Sequence, residues 1–224
     1  VTVSVLYCWR QKMLWLYVPL ALVAVPVLAS LVLVHRVPRL DVKGKVVLLT
    51  GGSAGIGLEL AVALVAKGAR VAIAARRRAV LEEAVAEIKK RSGVSDDNTI
   101  SFVEMDVADP DSVAKGVDKV RFWAKADIDV CICNAGYSLP SRFLDIPQRH
   151  QTGMVDVNFH GCANVCRAVL PRMYERKAGR VVLVSSMAGT APVAGFTVYG
   201  ATKAAIRAFA QSLDMESAAR GVRV

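Results

Sequence analysis

A glycine-rich loop set between an apolar run and a helical repeat limits what this chain can fold into. Val46–Thr50 is a short apolar stretch that runs into Gly51-Gly52-Ser53-Ala54-Gly55-Ile56-Gly57. Leu58–Lys67 then carries apolar residues at helical spacing and stops at Gly68. A strand that turns through glycines into a helix N-terminus forms a phosphate cradle. Gly51 suits the tight turn, Gly55 the approach of backbone to the phosphates, and Gly57 the close packing of helix on strand. The spacing is G-x-x-x-G-x-G rather than G-x-G-x-x-G, so its weight comes from this strand–turn–helix context.

The same alternation continues along the chain. Val71–Ala75, Ile100–Val107, Ile128–Asn134 and Arg180–Ser185 read as strands. Ala79–Arg91, Asp111–Lys125, His150–Lys177 (interrupted near Pro171) and Val198–Ala219 read as helices. This order predicts an α/β fold, a doubly wound parallel sheet of Rossmann type. Val222-Arg223-Val224 reads as the start of a sixth strand, and the fold is expected to be C-terminally incomplete.

Mean hydropathy is +0.40, high for such a fold, and the excess is local. Met13–Val34 is a run of 22 residues without a formal charge, long enough for an N-terminal transmembrane helix. Three regions follow: a membrane anchor over 1–35, a juxtamembrane linker over 36–45, and a catalytic domain over 46–224. Net charge is +10, and residues 1–45 hold six Lys/Arg against one acid. The heavier cluster, Arg36, Arg39, Lys43 and Lys45, follows the apolar run, which predicts a domain on the cytosolic side. No aromatics interleave a basic stripe, so nucleic acid is not an expected partner. Five cysteines and three histidines lack metal-site spacing, and Cys131, Cys133, Cys162 and Cys166 read as small core residues.

The candidate cofactor residues lie at the ends of the strands. The loop Gly51–Gly57 faces a pyrophosphate. Where an NAD-specific fold usually has an acid, this chain has Arg76-Arg77-Arg78. Arginines suit a 2′-phosphate, so NADPH is the expected cofactor, held chiefly by Arg76. Asp106 and Val107 are expected near adenine, and Asn134-Ala135-Gly136 on the same crevice edge.

The candidate catalytic residues come later. Tyr199 and Lys203 share one helix face. An ammonium beside a phenol favours its ionised form and suits it to acid–base work. Ser186 follows a strand end and can donate to a carbonyl oxygen. Asn158, inside a helix, is a candidate to hold a water that links Lys203 to solvent.

These residues resemble the short-chain dehydrogenase/reductase family. The likeness is carried by TGGSAGIG (50–57), Asp106, CNAG (133–136), Asn158, VSS (184–186) and YGATK (199–203). It implies hydride transfer from a nicotinamide cofactor, the roles given above for Ser186, Tyr199, Lys203 and Asn158, a sheet order of 3-2-1-4-5-6-7, and a possible homodimer. Gly195-Phe196-Thr197, Ala205-Ile206-Arg207, Arg76 and the apolar N-terminus are similar to a branch that reduces the C3 ketone of a long-chain keto-sphingoid base. That branch works with NADPH in the endoplasmic reticulum membrane, its catalytic domain facing the cytosol. It commonly has a lysine a few residues after Arg76, where this chain has Val80. Steroid or retinoid dehydrogenases of the family are the alternative, as is a catalytically silent nucleotide-binding scaffold.

Overall fold

The computed structural model describes residues 22–30, 40–94, 96 and 98–224. The chain divides between Asp41 and Val42 into two units. In the first, residues 22–30 are helical, with Leu22, Val23, Val25, Val27 and Leu28 exposed. The rest of the expected anchor, 1–21 and 31–35, lies outside the described residues, as does 36–39 of the linker. Among the described residues no helix is long and apolar enough to cross a membrane.

The second unit alternates strands and helices: β1 (Val46–Thr50), α1 (Gly55–Ala66), β2 (Arg70–Ala75), α2 (Arg78–Ser92), β3 (Ile100–Glu104), α3 (Pro110–Ala124) and β4 (Val130–Cys133). It continues through α4 (Gln148–Val155), α5 (Gly161–Arg176), β5 (Gly179–Leu183), α6 (Thr197–Ala218) and β6 (Val222–Arg223). The sheet order is β3-β2-β1-β4-β5-β6, and every pairing is parallel. Strands covered on both faces read as continuous apolar runs, and all five residues of β1 and all four of β4 are buried. One core lies on the α3–α5–α6 side, built around Leu48, Cys131, Val165 and Ile206. The other lies on the α1–α2 side, around Leu49, Ile73, Leu81 and Ile88. The order reverses between β1 and β4, which opens a crevice beyond their C-terminal ends.

Two expectations are corrected. The third strand ends at Glu104, short of Val107, because Asp106 is turned out of the ladder. Its N–H donates to Ser112 Oγ and its carboxylate accepts from the Ala108 N–H. The long helix over 150–177 is not interrupted near Pro171, which sits inside α5. The interruption is a π-helical turn over Asp156–His160, between α4 and α5. One extra residue in that turn directs Asn158 into the interior, where it is fully buried.

β6 is tied to α6 by Asp214. Its carboxylate accepts from the Val224 N–H at 2.9 Å and from Arg223 Nε at 3.0 Å and Nη2 at 3.1 Å. The Val224 amide foremost, with Arg223 and Arg180 beside it, holds this carboxyl below its ordinary value against the opposing effect of desolvation. A depressed folded-state value stabilises the fold above the unfolded carboxylate's pKa and is lost as pH falls through the folded one. Asp214→Ala should therefore speed hydrogen exchange at Val224 near neutral pH. The gap from the parent should close as the medium is acidified.

Candidate active site

The glycine loop sits where the first strand meets its helix. Gly55 has φ +55°, a left-handed conformation that side chains other than glycine rarely adopt. Gly57 lies so close to the Gly51 carbonyl and the Asn134 side chain that a Cβ there has no room. Ala54, at the α1 N-cap, offers no capping side chain, and no acid stands in the first turn. The first N–H groups of α1 are thus left to an outside anion. Gly51, Ser53, Ala54 and Ile56 face the crevice, while Gly52 packs against Ile73, 2.6 Å from where its Cβ would be.

Asn134 braces this loop from the neighbouring strand. Its Nδ2 donates to Thr50 O and Gly51 O, both at 3.1 Å. Thr50 Oγ1 accepts in return from the Asn134 and Ala135 N–H groups. Its side chain therefore holds the loop's shape from within the protein. Asn134→Ala leaves two carbonyls short of a donor, and we expect about 1–3 kcal/mol of lost stability, read as a lower denaturant midpoint at unchanged m.

One cleft of about 700 Å³ joins the expected residues. Arg76 and Arg77 line it with the glycine loop, as do Ala135, Gly136, Ser186, Tyr199 and Lys203. A smaller neighbouring cavity of about 190 Å³ is lined by Asp106, Val107, Met105 and Ala75. The three arginines are not equivalent. Arg78 pairs with Glu82 at 2.9 Å and Glu104 at 3.5 Å and lies over the Phe102 ring, away from the cleft. Arg76 and Arg77 instead line the cleft.

At the catalytic end, Tyr199 stands in the first turn of α6, its ring edge-on to Phe196 at 5.9 Å. Lys203 is one turn later and 4% exposed. Its Nζ donates to Val184 O at 2.8 Å, beyond the end of β5, and lies 5.8 Å from the Tyr199 ring centroid. Ser186 caps a short 3₁₀ turn, its Oγ accepting from the Ala188 N–H at 3.2 Å. That leaves its hydroxyl proton for another acceptor. Ser185 Oγ donates to Lys203 O at 2.8 Å and fixes the start of α6 against the end of β5.

Asn158 stands behind the cleft. Its Oδ1 accepts from the Tyr137 N–H at 2.9 Å, and its Nδ2 donates to Tyr137 O and to Thr202 Oγ1. The amide thus clamps the turn after β4 to the helix that carries Tyr199 and Lys203, with both of its N–H protons given to protein partners. Tyr137 and Thr202 were not among the sequence candidates. Tyr137 follows Asn134-Ala135-Gly136 directly and lines the main cleft and its two neighbours. Their adjacency to known motif residues is the only sequence signal for them.

The residues present fit a dinucleotide: a left-handed glycine loop, an uncapped helix N-terminus, two arginines without an ion-pair partner among the described residues, and a tyrosine–lysine pair on one crevice. The short chain dehydrogenase family profile matches residues 45–224. An uncharacterized oxidoreductase of Listeria monocytogenes is 36% identical over 83% of this chain and 72% of its own length. A 3-dehydrosphinganine reductase of Arabidopsis thaliana is 35% identical over 94% of this chain and 62% of its own length. A 3-ketodihydrosphingosine reductase of Bos taurus is 34% identical over 79% of this chain, which spans 53% of that relative. Among solved structures, an NAD+-bound xylitol dehydrogenase superposes with a TM-score of 0.76 at 30% identity, covering 83% of this chain and 69% of its own. Profile, relatives and crevice agree, and the chain belongs to the short chain dehydrogenase family.

Proposed function

We propose that this chain is the cofactor-binding and catalytic part of a membrane-anchored, NADPH-dependent reductase. Its proposed substrate is the C3 ketone of 3-ketodihydrosphingosine, at the cytosolic face of the endoplasmic reticulum. The observation that carries this reading is the single cleft with Arg76 and Arg77 toward one end and Ser186, Tyr199 and Lys203 toward the other. Similarity to the plant and bovine reductases supports the substrate, and the uncharged run over 13–34 supports the anchor.

NADPH, when bound, supplies the hydride. The protein's own residues then handle the oxygen. Ser186 Oγ donates to the ketone oxygen and steadies its developing negative charge. Tyr199 Oη transfers a proton to that oxygen as the alcohol forms. Lys203, held by Val184 O, keeps a positive charge beside the phenol and stabilises its phenolate after transfer. Asn158 keeps the Tyr137 turn and α6 in register.

The test is reduction of 3-ketodihydrosphingosine by the full-length reading frame in isolated membranes, with NADPH and NADH compared. Turnover preferring NADPH supports the reading. NADPH binding without turnover of this ketone removes the sphingoid substrate and leaves steroid and retinoid ketones as the next compounds to try.

A further inference from the structure

Four buried thiols meet behind the cleft: Cys131 and Cys133 on β4, Cys162 and Cys166 one turn apart on α5, none more than 3% exposed. By sequence they are interchangeable core residues, but Cys162 is set apart by its contacts. Its Sγ donates to the main-chain carbonyl of Asn158 at 3.3 Å. That carbonyl belongs to the π-helical turn, where the ladder is displaced by one residue, as the bond from Gly161 N–H to Asp156 O shows. A carbonyl has two lone pairs, so the thiol can be an added donor there. From the same residue the side-chain amide reaches Tyr137 and Thr202, the neighbour of Lys203. The charge environment differs as well. A bond from Cys133, then the Lys203 ammonium, draws the Cys162 thiol below its ordinary value despite burial. Cys133 is pushed well above by neighbouring thiols and burial.

We propose that Cys162 is a positioning residue for Tyr199 and Lys203: its thiol anchors the π-helical turn through the Asn158 carbonyl, and Asn158 then fixes the Tyr137 turn and α6. This rests on the reading of the cleft as a ketone-reducing site. A thiol is a weak donor, so the effect is modest.

The experiment compares Cys162→Ala, Cys162→Ser and Cys166→Ala in the full-length protein in detergent. Cys166 is equally buried and serves as the control for loosened packing. Two readouts are taken: the pH profile of kcat on a ketone that the parent reduces, and the NMR resonance of the Asn158 side-chain amide in the absence of substrate. Cys162→Ala should lower kcat about two- to fivefold, displace the pH profile and move the amide resonance. Cys162→Ser, which keeps a donor, should restore all three, and Cys166→Ala should change none. The proposal is overturned if Cys162→Ser matches Cys162→Ala, or if Cys166→Ala reproduces the changes. The amide readout needs no substrate, so it decides the proposal even where the reductase reading fails.

Discussion

Replacing Tyr199 by phenylalanine should lower turnover by about 10²–10⁴-fold while NADPH binding stays close to that of the parent. The substitution removes one oxygen and little else. The ring keeps its edge-on contact with Phe196 at 5.9 Å, and α6 keeps its start at Thr197. The Thr202 hydroxyl that bonds the Tyr199 main-chain carbonyl at 2.7 Å is untouched, as is its contact with Asn158. The fold and the arginine end of the cleft should therefore be preserved, and the loss isolates proton donation. The predicted range corresponds to about 3–5 kcal/mol of transition-state stabilisation. Steady-state kinetics and a nicotinamide fluorescence titration measure the two quantities separately. Turnover within about tenfold of the parent would move the proton donor elsewhere, since a general acid is worth more than that.

The elements that position this tyrosine were legible in sequence to different degrees. The parallel sheet was legible because strands buried on both faces show as uninterrupted apolar runs, and β1 and β4 are such runs. The glycine loop and the Tyr199–Lys203 pair were legible because local geometry demands them, a left-handed residue in one case and a four-residue helical spacing in the other. The π-helical turn was not. It depends on Asn158 finding Tyr137 and Thr202, 21 residues earlier and 44 later, and no local pattern encodes such contacts. Proline drew the interruption toward Pro171 because it is the strongest local helix breaker, yet tertiary bonds set the break at Asp156–His160 instead. The role of Asn134 was hidden for the same reason: its position marked the crevice edge, but its bonds to the glycine loop cross between strands. The unequal fates of Arg76, Arg77 and Arg78 also rest on a distant partner, Glu104 of β3.

That inequality sets up the second large effect. Arg76→Ala and Arg77→Ala should each weaken NADPH binding about 10- to 100-fold and leave NADH binding nearly unchanged. A charge-assisted hydrogen bond is worth about 1.5–3 kcal/mol, and each 1.4 kcal/mol is tenfold in affinity. Only NADPH carries the 2′-phosphate that these guanidinium groups are proposed to meet, so on that reading the penalty falls on one cofactor alone. Arg78→Ala is the internal comparison. Its guanidinium is already occupied by Glu82, Glu104 and the Phe102 ring, so its loss should leave the cofactor preference as it was. Arg76→Asp goes further, since a carboxylate repels the 2′-phosphate and can accept from a ribose 2′-hydroxyl, which should reverse the preference toward NADH. Dissociation constants for both cofactors across the four variants decide the matter. Equal losses for NADPH and NADH would mean that the arginines shape the crevice rather than read the phosphate, and the assignment of NADPH would fall with that result.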